Sequence, residues 1–91
     1  MRKTTEQIQA ECQLAAETWK MSFETPAPSA RQIAVWLNLY PIEIVEDAIR
    51  VTGTRDFLKE REGKPMSDDD RLRYASAVMR NMKQKQKAVA Q

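Results

Sequence analysis

Histidine is absent from this sequence and cysteine occurs once, at Cys12. The commonest general base and nitrogen ligand is therefore missing, and a single thiol can neither close an internal disulfide nor build a zinc site. Glycine is scarce too: Gly53 and Gly63 stand alone, so no glycine-rich loop can cradle a phosphate. No apolar run approaches the ~18 residues that mark a membrane span, and no secretory leader pattern is present. The carboxylates do not compensate. Asp68, Asp69 and Asp70 are consecutive, so on a helix they splay around its circumference and cannot converge on one cation. These absences lead us to expect a cytoplasmic, non-enzymatic protein with no cofactor, no metal and no membrane association.

The residues that are present favour helices. Of the 91 residues, 42% are hydrophobic and 31% charged, enough for one small domain with a single core. Apolar residues recur at helical rather than alternating spacing, which leaves strands without support. Thr4-x-x-Gln7 is a capping-box pattern opening a first helix with Ile8, Cys12, Ala15, Trp19 and Phe23 on one face. That helix must stop before Pro26. Ser29-x-x-Gln32 caps a second helix presenting Ile33, Trp36 and Leu37, and Pro41 suits the first turn of a third, with Ile44, Val45, Ala48 and Ile49 inward. Gly53 offers that third helix a stop, with 54–62 as a short separate helix or an extension. After Gly63-Lys64-Pro65, Ser67 caps the last helix, and Asp68, Asp69 and Asp70 complement its dipole. The expectation is an all-α, single-domain bundle of four to five helices over residues 1–91, its tail at 84–91 basic and frayed.

A net charge of +2 conceals an asymmetry between the two ends. Residues 1–66 carry nine Lys or Arg against ten Asp or Glu; residues 67–91 carry six against three, with no acid after Asp70. On the last helix Tyr74, Val78 and Met82 share a side with Leu72, Ala75 and Met79, while Arg73, Arg80, Lys83 and Lys87 fall on the other. One side can pack while the other meets phosphate. The candidate DNA-binding residues are Arg73, Tyr74, Arg80, Asn81, Lys83, Lys85 and Lys87. The competing description is a docked helix with a solvated basic back, since cations near a helix C-terminus also favour its dipole.

Residues 29–50 have the layout of a DNA-binding helix-turn-helix, but their charge has the wrong sign. The would-be recognition helix carries Glu43, Glu46 and Asp47 against Arg50 alone, and phosphates would repel it. Ile33, Trp36, Leu37, Ile44, Val45 and Ile49 are accordingly assigned to the core. Trp19 and Trp36 belong there as well, on apolar helical faces.

Taken together, these features resemble the C-terminal helical domain of DnaD-like and DnaB-like primosomal proteins, which take part in replication initiation and are common in phages. That family's last helix carries a Tyr-x-x-x-Ile-x-x-x-Trp motif followed by a basic residue; Tyr74, Val78 and Met82 occupy its positions here, with Lys83 following. Upstream, the order of Trp19, Phe23, the Pro-Ala-Pro-Ser loop, Ile33, Trp36, Leu37, Ile44, Val45, Ala48 and Ile49 is also similar, so the resemblance spans residues 15–83. It implies a DnaD-like fold, DNA as partner and a home in a phage or plasmid genome. The rival expectation is a phage- or plasmid-encoded inhibitor, such as an anti-CRISPR or a replication inhibitor. Such a protein would dock on a replication or host defence protein through Glu43, Glu46 and Asp47. Self-association is compatible with either.

Overall fold

The computed structural model describes residues 3–23 and 27–90, the side chains of 87–90 excepted. Four helices follow in order: α1 (Thr5–Ser22), α2 (Ala30–Leu39), α3 (Ile42–Arg61) and α4 (Asp68–Ala90). Each serine or threonine cap reads out as a hydrogen bond. Thr4 Oγ1 accepts from Gln7 N at 3.1 Å, and Ser29 Oγ accepts from Gln32 N at 3.2 Å. Pro41 is the N-cap residue of α3, one position earlier than its sequence suggests; its φ of −66° and ψ of 156° are the extended backbone of a cap.

Gly53 does not end α3, and residues 54–61 are a continuation of it rather than a fifth helix. The physical role of this glycine is contact. A Cβ there would lie 3.0 Å from Ser22 Cβ, so the missing side chain lets α1 and α3 cross closely. The stop comes ten residues later, at Gly63, whose φ of +77° suits glycine. Lys64 N donates to Lys59 O at 2.9 Å and Gly63 N to Glu60 O at 3.0 Å, the paired bonds of a Schellman ending.

α3 is the central helix: it packs against α1, α2 and α4. Ala15, Trp19 and Phe23 from the α1 segment, Ile33, Trp36 and Leu37 from α2, and Ile44, Val45, Ala48 and Ile49 from α3 form one core with Ala75 and Met79. Every apolar residue assigned inward on the second and third helices is buried. Trp19 anchors the cluster, 4.4 Å from Phe23 and 6.4 Å from Trp36 between ring centroids. Such tilted and offset contacts add to the area the rings bury. Among the described residues no helix is long and apolar enough to cross a membrane.

Candidate nucleic-acid interface

A local cap starts α4, and ties to its neighbours fix its rotation and with it the choice of residues that face outward. At its start Asp70 N donates to Ser67 Oγ at 3.1 Å and Ser67 N donates back to Asp70 Oδ2 at 3.3 Å, a reciprocal cap with aspartate in the third helical position. One turn later Arg71 Nε donates to Asp56 Oδ1 at 3.2 Å and Nη1 to Asp68 Oδ1 at 2.8 Å, with the guanidinium 5.6 Å from the Phe23 centroid. This joins α4 to α3 and to the end of α1. Trp36 Nε1 donates to Ser76 Oγ at 3.0 Å and supplies the tie to α2. Ala75 and Met79 are then fully buried, with Leu72, Val78 and Met82 packed at the core edge.

With that side committed, Arg73, Arg80, Asn81 and Lys85 are exposed. Among the described residues none of Arg73, Arg80 and Lys85 enters an ion pair. Arg73 and Arg80 line a shallow groove between α2 and α4 with Gln32, Ser76 and Ala77. Tyr74 is partly buried on the other edge of α4, where it shares a groove with Arg55, Lys59, Lys64, Met66 and the acidic Asp70. The residues expected to form a DNA surface are therefore divided between the two flanks of the helix. Lys83 stands apart again: its Nζ donates to Leu39 O at 3.0 Å and lies 5.5 Å from the Tyr40 centroid. It thus satisfies an orphan carbonyl at the end of α2. The side chain of Lys87 lies outside the described residues.

Arg55, Lys59 and Lys64 are basic residues of this surface that the sequence reading did not assign. Arg55 and Lys59 are four apart on α3, a visible signal, but which face of α3 meets α4 depends on packing. The acidic alternative is weakened. Glu46 Oε2 accepts from Thr18 Oγ1 at 3.2 Å and from Arg50 Nη2 at 3.2 Å, and Asp47 Oδ1 accepts from Arg50 Nη1 at 3.1 Å. Of the three carboxylates, Glu43 alone is exposed with no ion pair among the described residues. Among the described residues no cluster of acidic residues or cysteine is suited to a metal. No family model, curated protein or solved structure matches the chain.

Proposed function

We propose that this chain is a non-enzymatic DNA-binding module of the kind its DnaD-like sequence features imply, contacting the phosphate backbone through α4 and serving replication initiation. One observation carries the reading: exposed cations flank α4 on both sides, at Arg73 and Arg80 on one edge and at Arg55, Lys64 and Lys85 on the other, with no acid after Asp70. A polyanion is the natural complement of such a surface. Binding of a host protein through α3 is the weaker reading, because Arg50 and Thr18 already occupy two of its three carboxylates.

The test is a fluorescence-anisotropy titration of DNA across a salt series, for the wild-type protein and for the Arg73→Ala/Arg80→Ala variant. Counterion release gives a log–log slope of about −0.7 to −0.9 per phosphate engaged. The double variant should keep its melting temperature, bind all sequences more weakly, and flatten the slope by about one to two units. Salt-insensitive or absent binding by the wild-type protein would sink the DNA reading.

A further inference from the structure

We infer that α4 is a duplex-reading helix whose outer row, Ala77, Asn81 and Gln84, enters the major groove of DNA; this rests on the DNA-binding reading above. These three residues are exposed and spaced by four and three, so they lie along one line of the helix, opposite buried Ala75 and Met79. The row is uncharged and short, and cations stand on both sides of it. On one side are Arg73 and Arg80, in the α2/α4 groove. On the other is Lys85, on α4 itself, and nearer the start of the helix the α3/α4 groove adds Arg55, Lys59 and Lys64 beside Tyr74 and Asp70.

A helix with its side chains is about 10–12 Å across, and the B-DNA major groove is about 12 Å wide. Seated there, the helix presents its outer row to base edges and its two flanks to the phosphates of the two strands. The chemistry of the row fits that position. Asn and Gln pair bidentately with adenine N6 and N7, and an alanine methyl contacts the thymine methyl. From Ala77 to Gln84 the helix rises about 10 Å, the span of roughly three base pairs. Asp70 lies on the same row two turns earlier, and its carboxylate is engaged with Ser67 N. Phosphate repels that end, so the inserted part begins at Arg73. The occupant is duplex DNA and not duplex RNA, whose major groove is too deep and narrow for side chains to read.

The experiment selects binders from a random duplex DNA pool, then titrates the selected duplex, a scrambled duplex, the single strand and an RNA duplex of the same sequence. Three proteins are compared: wild type, Asn81→Ala/Gln84→Ala, and Arg55→Gln/Lys64→Gln. All four substituted residues are exposed, so melting temperatures should hold. The amide variant should lose about tenfold or more of the preference for selected over scrambled duplex and keep the salt slope. The cation variant should weaken both duplexes equally and flatten the slope. Selection without sequence preference, equal binding of single strand or RNA duplex, or an unchanged preference in the amide variant each overturns the inference and leaves backbone binding standing. An unchanged slope in the cation variant overturns the two-flank footprint. Absence of salt-dependent binding by the wild-type protein overturns the parent reading instead.

Discussion

Arg71→Met should be the most damaging substitution of a charged residue in this chain. The methionine keeps much of the apolar stem and removes the guanidinium, leaving Asp56, whose side chain is 13% exposed, without its ion-pair partner. Breaking a buried pair from one side costs about 3–5 kcal/mol. Both side chains retain some water contact, so about 2–3 kcal/mol is appropriate, with the stacking of Arg71 over Phe23 contributing part of it. In a chain of this size that is a fall of roughly 10–20 °C in melting temperature. Asp56→Asn should cost less, because Arg71 keeps Asp68 at 2.8 Å and the amide oxygen still accepts. Thermal and urea unfolding followed by circular dichroism at 222 nm would give the whole cycle, and the double variant should be less damaged than the two single costs added together. A melting temperature within about 3 °C of wild type for Arg71→Met, or strict additivity, would refute the assignment of Arg71 as the pin between α1, α3 and α4.

Three further outcomes follow from the packing. Met79→Ala empties a fully buried position and should cost about 2–4 kcal/mol by urea unfolding, with the exposed cations of α4 untouched. Gly53→Val should cost about 1–3 kcal/mol, because Ser22 stands 3.0 Å from where the first added carbon would go, and suppressors that shorten residue 22 should recover part of it. Burial, assisted by the neighbouring charge of Glu11, pushes the Cys12 thiol up from its ordinary value. Its alkylation by iodoacetamide at neutral pH should therefore run slower than that of a free peptide thiol and speed up on mild unfolding.

Most of the fold was legible because its determinants are local. Thr4, Ser29 and Ser67 each sit three residues before the backbone N–H they cap, and the apolar spacing of α2 and α3 assigned the buried residues of both. Gly53 left the end of α3 open between a stop and an extension, for a physical reason. A glycine inside an apolar pattern signals either a stop or a close approach, and Ser22, thirty-one residues away, decides which. Gly63 carried the true stop, with its positive φ. The candidate surface was half legible. The basic run on α4 could be counted, but three things required knowing how the helices pack: that Lys83 reaches Leu39 O, that Tyr74 lies on the opposite edge from Arg73, and that Arg55, Lys59 and Lys64 join it there.

Place in the bundle also decides which helix can enter a groove. Residues 29–50 do fold as helix, turn and helix, yet the second of these, α3, is packed between α1 and α4 and also meets α2. It buries Ile44, Val45, Ala48, Ile49 and Thr52, and its outward strip carries Glu43 and Asp47. Sign and geometry both keep it out of DNA. α4 is held on one side only: Ala75 and Met79 are buried, while Arg73, Ala77, Arg80, Asn81, Gln84 and Lys85 all face solvent. A helix at the edge of a bundle can offer a wide face to a rod-shaped partner without dismantling its own packing. Moving the carboxylates would test whether sign or placement matters more. Glu43→Lys/Asp47→Lys should raise non-specific DNA affinity through charge alone, giving selected and scrambled duplexes the same increment. A gain in sequence preference from that variant would mean that α3, and not α4, reads the bases.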